Sequence, residues 1–399
     1  MRMLTVVCVV LGSVPLLAAP STAAPGCPPV SFTASADARL LNFALVDLRP
    51  LGLETHVANL TLAPTKAGMA TTATVRGSAQ AEYLDGSVLG LKLPRGPLEA
   101  RVAQQAPPAN QNPARNTALA VDLGPVGKIG AGSLEAQAQW TDPMTCGTQT
   151  GLAGQGAAAI VDAAILPGSS GAMVRASQNL QSRAATALVP KDGRAASAAR
   201  AEIGLSKLEL LGNAITVRVV QPPSLNAIAT GRKETSSVEY HSPLLEITAP
   251  GLGTKKLDTP GQSLEIPIPT TTLSTILSGL PLRGLTLGQH PTLIRLTLGT
   301  FTQTITDREV TASATSLRVE LLTPGTTHLL DLNIGLLTTS ATAPPWAAAP
   351  TSPPPPGCGT PACQLPLTGF NIGLATGAGI LVLILGRFLL LLTTRRPRT

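Results

Sequence analysis

The chain has 399 residues, of which 44% are hydrophobic, 13% are charged and 2% are aromatic, and its formal net charge is +7. Five of the positive charges lie in two apolar terminal stretches without an acidic residue, which leaves +2 for the part between them. These five residues are Arg2, Arg387, Arg395, Arg396 and Arg398. A net charge so close to zero provides no strongly positive surface to bind phosphate groups, so nucleic acid is not an expected partner.

The first residues have the pattern of a secretory signal peptide. Arg2 is a short basic region, residues 4–17 form an apolar core, and small residues follow up to Ala23. We expect cleavage after Ala23, so that residues 1–23 are absent from the mature, secreted protein.

Residues 24–342 consist mostly of short runs in which apolar and polar residues alternate between turn residues. Residues 133–140 alternate with one apolar face, and residues 172–189 and 263–268 are similar. This period of two is typical of β-strands. The predicted fold class is therefore mainly β, with sandwich-like antiparallel modules over residues 24–222 and 223–342. One continuous domain is the alternative.

Local patterns give more specific expectations. Asp85 and Gly86 predict a hairpin turn. The alanine-rich residues 157–166 predict a short helix, and residues 310–322 are expected to pair with residues 292–306.

A weak repeat recurs three times in this region. In residues 35–41, 198–211 and 311–322, alternating small residues are followed by larger apolar residues. Duplicated β modules or compositional bias would both produce this likeness.

A linker and a set of ordered signals follow. Residues 343–364 are rich in Pro, Ala and Gly, which is typical of a linker, and would reach about 65–70 Å as polyproline II. The pentapeptide Leu-Pro-Leu-Thr-Gly at 365–369 precedes an apolar run at 372–392 and an arginine-rich end at 395–399. The apolar run is long enough to cross a bilayer core of about 30 Å as a helix. We therefore predict a transmembrane helix over 370–394 and a basic cytoplasmic tail over 395–399.

This order resembles the cell-wall sorting signal of Gram-positive surface proteins, and the high content of Arg, Ala, Gly and Pro is of the actinobacterial type. The fixed positions of that signal are matched by Leu365, Pro366, Thr368 and Gly369. The resemblance implies that a sortase cleaves after Thr368 and joins it to an amine of the peptidoglycan precursor. The chain would then be a sortase substrate anchored in the extracellular cell wall, and would span the membrane only before sorting. A permanent single-pass membrane anchor is the alternative.

Four cysteines remain after Cys8 leaves with the signal peptide: Cys27, Cys146, Cys358 and Cys363. An even number in an exported protein favours disulfides. Of the three possible pairings we favour Cys27–Cys146 with Cys358–Cys363, because the latter two are close in sequence. A zinc site at Cys358 and Cys363 is not expected, since nothing nearby supplies further ligands.

The sequence shows no catalytic constellation. Its four histidines, at positions 56, 241, 290 and 328, are scattered. Asp47, Asp85, Asp122 and Asp331 fall at predicted strand ends or turns. We therefore expect no cofactor, no metal and no enzymatic activity, and a structural or adhesive role with an unknown extracellular ligand. The alternative is a surface hydrolase of cell-wall glycan or peptide, whose acid and base would meet only in the fold.

Overall fold

Long antiparallel strands dominate the computed structural model. It describes residues 28–47, 56–57, 59–88, 91–92, 100–108, 112–124, 127–168, 171–269, 271–272, 292–322 and 328–345. The first strands are β1 (Thr33–Asp47), β2 (His56–Val57), β3 (Asn59–Ala70), β4 (Gly77–Glu82), β5 (Leu84–Val88), β6 (Leu91–Lys92), β7 (Arg101–Ala106), β8 (Ala114–Ala118), β9 (Val121–Asp122), β10 (Gly127–Ile129) and β11 (Gly132–Ala138). The short helix α1 (Asp142–Thr145) follows β11.

The remaining strands complete the described chain. They are β12 (Gly151–Gly168), β13 (Gly171–Lys191), β14 (Arg194–Gly204), β15 (Lys207–Leu210), β16 (Ile215–Gln221), β17 (Ser224–Ala229), β18 (Ser237–His241), β19 (Leu244–Ala249), β20 (Gly253–Leu257), β21 (Ser263–Ile268), β22 (Thr292–Leu298), β23 (Phe301–Ile305), β24 (Glu309–Leu322) and β25 (His328–Thr342). The prediction of a mainly β, antiparallel protein is confirmed.

The strands form two sheets that face each other. Sheet A has 12 strands along the path β21-β22-β24-β25-β1-β3-β4-β7, and sheet B has 13 strands built around the long hairpin of β12 and β13. On one side of that hairpin, β14 and β15 lie one after the other along β13 and both pair with it. On the other side, β11 and β10 lie one after the other along β12 and both pair with it. Strands from before and after residue 222 take part in both sheets, within one compact unit.

In β1 and β25 the core changes between small and large side chains along the strand. In β1 the buried residues run from Ala34 and Ala36 to Leu40 and Phe43. The antiparallel neighbour β25 has the reverse order, from Leu330 to Ala341. Because the order reverses with the strand direction, small residues lie beside small ones across the sheet. We call the alanine- and glycine-lined part of both sheets the thin half and the leucine- and isoleucine-lined part the thick half.

The two sheets are in backbone contact in the thin half. A β-carbon on Gly154 of β12 would lie 2.2 Å from the carbonyl oxygen of Ser78 in β4, and one on Gly156 would lie 2.4 Å from that of Gln80. Although the side chain of Ser197 in β14 is short, its hydroxyl reaches sheet A and donates to the carbonyl oxygen of Thr342 in β25 at 2.7 Å. Facing sheets normally stand about 10 Å apart, so this closeness requires the small residues.

The graded core accounts for the weak repeat. Residues 35–41 lie in β1, residues 311–322 lie in β24, and residues 198–211 run through β14 and β15. Each of these segments runs from the thin half to the thick half, and therefore needs small inward residues first and large ones later.

Two local predictions were wrong. Residues 157–166 form part of β12 rather than a helix, because β11 and β13 pair with them on both sides and the core of the thin half requires alanine. Tertiary packing here overrides the helix propensity of alanine. Asp85 and Gly86 lie inside β5. The strands β4 and β5 pair with successive parts of β3 and run in the same direction, so the chain makes no hairpin turn at Asp85 and Gly86. The pairing of residues 310–322 with the preceding strands is confirmed.

The predicted signal peptide (1–23) and sorting motif (365–369) lie outside the described residues, as do the predicted transmembrane helix (370–394) and the basic tail (395–399). Within the described ranges, no helix is long and apolar enough to cross a membrane.

A buried glutamine links the two sheets at one open edge. Gln104 of β7 in sheet A is 8% exposed. Its amide nitrogen donates to the carbonyl oxygen of Asn112 at 2.7 Å, and its amide oxygen accepts from the N–H of Ala138 in β11 at 2.6 Å. Gln104 therefore satisfies main-chain groups on the segment between β7 and β8 and on sheet B.

We expect Gly156→Ala to lower the free energy of unfolding by about 1–3 kcal/mol, because the new methyl group would meet backbone atoms that cannot move aside. The matched control is Gly151→Ala in the same strand, where a β-carbon meets nothing within 4 Å. The control should stay within about 0.5 kcal/mol of the wild type. Urea unfolding of the full chain in detergent, followed by the fluorescence of the buried Trp140, measures both. Equal stability of the two variants would contradict the backbone contact.

Gln104→Leu should cost about 1–3 kcal/mol, since it leaves the Ala138 N–H and the Asn112 carbonyl without their partner. The neighbouring Gln105 is exposed on the opposite face of β7 and serves as the control. Gln105→Leu should change stability by no more than about 0.5 kcal/mol in the same assay. If both substitutions had the same small effect, the link between the sheets would contribute nothing.

Candidate functional site

A groove crosses the outer face of sheet B. It consists of a hollow of about 860 Å³ and an adjoining hollow of about 240 Å³, which share Gln181. We call the two together the sheet B groove. The polar residues that line it are Ser133, Asp162, Arg175, Ser177, Gln178, Gln181, Arg183, Arg200, Glu202 and Ser224.

The groove lies where β12 and β13 bend. At the register shift between Ile160 and Asp162, β12 advances two residues while β13 advances three, from Leu180 to Ser177, so the extra residue lies in β13 opposite Val161, whose side chain is 67% exposed. Gln178 of β13 lies near this shift and has a positive φ of 66°. Such bulges bend a strand and increase its twist. At this level the core residues change from alanine to isoleucine and leucine, and the larger hollow lies on the outer face of sheet B.

Short side chains form the floor of the groove. One cross-strand row joins Ser133 of β11, Ala159 of β12, Gln181 of β13 and Gly204 of β14. At about 4.8 Å per strand, this row spans about 14 Å. Gln181 lies across Gly204, since a β-carbon there would be 2.6 Å from the Gln181 amide nitrogen. The floor therefore extends over four adjacent strands, and the Gln181 side chain covers it at β14.

The charges of the groove leave one arginine unpaired. Arg175 is 3.9 Å from Asp162, and Arg200 forms an ion pair with Glu202. Arg183 is exposed between them and has no ion-pair partner among the described residues, although Glu202 is its cross-strand neighbour. Exposed ion pairs of this kind are worth at most about 1 kcal/mol, so a ligand can displace them. With three arginines and two carboxylates, the groove carries an excess of positive charge.

Tyr83 supports the groove from inside the core. It lies between β4 and β5 of sheet A and is fully buried. Its hydroxyl donates to the carbonyl oxygen of Gly130 in sheet B, and its ring lies against Gly132, where a β-carbon would be 2.9 Å away. The N–H of Gly130 in turn donates to the carbonyl oxygen of Asp162 at 2.8 Å. Burial, with a smaller contribution from the charge of Asp162, raises the pKa of Tyr83 to about 12.

The three sequence-selected carboxylates whose side chains the structure describes do not meet one another. Asp122 is exposed, 3.2 Å from Lys128, and the N–H of Gly124 and this lysine lower its pKa. Arg318 donates to both oxygens of Asp331, at 2.9 and 2.7 Å. Asp85 is exposed on β5, and the side chain of Asp47 lies outside the described part.

Of the four histidines, His241 has a side chain within the described part of the chain. His241 is exposed, with its imidazole 2.7 Å from a carboxylate oxygen of Glu239. The side chains of the histidines at 56, 290 and 328 lie outside the described part of the chain. Over the described residues, no group of three or more His, Cys, Asp and Glu side chains is placed to hold a metal ion.

Cys146 is disulfide-bonded, and its partner lies outside the described residues, which contain no other cysteine. The N–H of Val30 donates to the carbonyl oxygen of Thr145 at 3.0 Å, which places the chain three residues after Cys27 beside Cys146. The pairing with Cys27 stays a prediction that this hydrogen bond supports. The positions of Cys358, Cys363 and the sorting-motif residues are not among those described.

Sequence reasoning missed the groove, although a local signal marks it. In residues 154–160 every second residue is buried, whereas Val161 and Asp162 both lie between the buried Ile160 and Ala163 and break this period. A break of this kind inside a long alternating run indicates a bulge. The sequence does not show which side chains of β11, β13 and β14 the bulge brings together, because that depends on register.

The raised pKa of Tyr83 makes stability depend on pH above 10. The unfolded chain releases the tyrosine proton near its ordinary pKa of 10.0 and the folded chain only near 12, so stability falls as pH rises through this window and is unaffected below it. Tyr83→Phe should flatten this loss and cost about 1 kcal/mol at neutral pH through the lost hydrogen bond. Burial also raises the pKa of Tyr240, which stacks on Phe301 at 5.0 Å, so the double variant Tyr83→Phe/Tyr240→Phe should lose more of this pH dependence than either single variant. Urea unfolding below and above pH 10 checks this, and an unchanged slope in Tyr83→Phe would contradict it.

Comparisons with known proteins leave the chain without a match. No family model, no curated protein and no solved structure matches it. What the groove binds must therefore be inferred from the chemistry of the residues that line it.

Proposed function

We propose that this chain is an exported protein that a sortase links covalently to peptidoglycan, and that its β domain has an adhesive or structural role at the cell surface. The observation that carries this proposal is the order of three signals. A complete Leu-Pro-x-Thr-Gly motif at 365–369 is followed by an apolar run at 372–392 and then by three arginines. The predicted signal peptide at 1–23 supports export.

The sorting reaction follows from the chemistry of the motif. The sortase cysteine attacks the carbonyl carbon of Thr368, the bond to Gly369 breaks, and the amine of Gly369 leaves with a proton. An amine of the peptidoglycan precursor then displaces the cysteine and forms an amide with Thr368. Pro366 helps to present the substrate, since it biases Leu365 away from helical conformations. Before cleavage, the helix proposed at 370–394 holds the chain in the membrane, and Arg395 and its neighbours keep this end in the cytoplasm.

The sheet B groove supports an adhesive role. Its floor extends over four strands, and its two carboxylates, Asp162 and Glu202, each lie beside an arginine. A glycosidase instead needs two carboxyl groups within about 10 Å of each other, whereas Asp162 and Glu202 line different hollows of the groove. The groove thus has the features of a binding surface rather than of a hydrolytic site.

Fractionation of the producing cells tests the anchoring. The wild-type protein should be released only by digestion of the wall, and its carboxy-terminal peptide should end at Thr368 with a wall fragment attached. Thr368→Ala, or deletion of the sortase, should leave the protein in the membrane fraction with its arginines intact. Thr351→Ala in the linker is the control and should leave wall attachment unchanged. Recovery of the wild-type chain with Arg395 to Arg398 still attached would identify a permanent membrane protein instead.

A further inference from the structure

The sheet B groove offers hydrogen-bonding side chains on a floor of paired strands. The strands β11, β12, β13 and β14 pair with one another across it, so most of their amides and carbonyls are already used there. Peptides that bind to sheets usually add as a strand at an edge, through main-chain hydrogen bonds. A ligand in this groove crosses the strands instead, and must be recognised by side chains.

The side chains that line the groove can bind a ligand that carries both hydroxyl groups and an anionic group. Ser133, Ser177, Gln178 and Gln181 can each donate and accept hydrogen bonds, as the hydroxyls of a sugar require. Arg183 has no ion-pair partner among the described residues, and a guanidinium binds a carboxylate or phosphate through two parallel hydrogen bonds. None of the residues lining the two hollows is aromatic, so polar contacts must carry the binding.

We propose that the sheet B groove binds an anionic glycan, a polysaccharide chain that carries carboxylate or phosphate groups. The glycan lies across β11 to β14, with its hydroxyls on the serines and glutamines of the floor and an anionic group on Arg183. This inference deepens the proposed adhesive function and rests on it. Because the site is exposed and charged, single-site affinity is modest and falls as salt rises. Many copies on one wall would raise the overall affinity.

The test measures binding of the full chain, purified in detergent, to four polymers of similar length. Polygalacturonate carries carboxylates, poly(glycerol phosphate) carries phosphates, dextran is neutral, and polyglutamate is an anionic peptide. Two groove variants are compared with the wild type. Arg183→Gln removes the unpaired charge, and Ala159→Met fills the floor.

Each groove variant has a matched control on sheet A. Lys66→Gln removes an exposed positive charge from β3, and Ala103→Met adds the same side chain to an exposed position of β7. Thermal unfolding of all four variants, followed by the fluorescence of Trp140, verifies that they are folded.

We expect one or both of the anionic polysaccharides to bind at least about 10-fold more tightly than dextran and polyglutamate. Arg183→Gln and Ala159→Met should each weaken this binding by about 3- to 10-fold, and the controls by less than about 2-fold. The polymer that binds more tightly identifies the anion as carboxylate or phosphate.

Three results would overturn the proposal: no binding of either anionic polysaccharide, equal or tighter binding of polyglutamate, or full binding by both groove variants. A fourth contradicting result is equal binding of dextran, since this would show that the charge of the polymer has no role. Since the assay uses purified protein, a failure of sortase anchoring would leave these results unchanged. A failure of glycan binding would likewise leave wall attachment intact.

Discussion

The backbone contact between the two sheets in the thin half is the constraint on which the rest of the fold depends. It exists because Gly154 and Gly156 have no side chain at the places where carbonyl oxygens of sheet A approach them. The alanines around them keep the sheets close over the whole thin half. Where leucine and isoleucine replace alanine, the sheets must separate, and sheet B bends at Val161 and Gln178. The larger hollow of the groove lies on the outer face of sheet B at this level, where the size of the core side chains changes.

The same distribution explains what can be predicted from the sequence and what cannot. Strands such as β11, β21 and β25 were predictable because their residues alternate with a period of two. Residues 157–166 were not, since alanine on both faces of β12 hides the alternation and suggests a helix. The groove was not predicted, and the reason is different. Its residues come from consecutive strands, and only the register of β11 to β14 places Ser133, Gln181 and Gly204 in one row.

Anchoring and binding depend on different kinds of information in this chain. The proposed anchoring is linear, because the motif at 365–369 is effective by its order relative to the apolar run and the arginines. The proposed binding is three-dimensional, and depends on the bend of sheet B and on the support that Tyr83 gives to Gly130 and Gly132. A substitution in either part should therefore leave the other part unaffected.

The position of β25 has a mechanical consequence. It is the last described strand before the linker, and it lies between β24 and β1, paired with both along most of its length. A pulling force applied to the chain after Thr342 would act along the axis of this strand, so that the hydrogen bonds to both neighbours resist it together in shear rather than opening one at a time. Under the proposed wall anchoring, force on the protein would thus be applied through a strand that is paired on both sides.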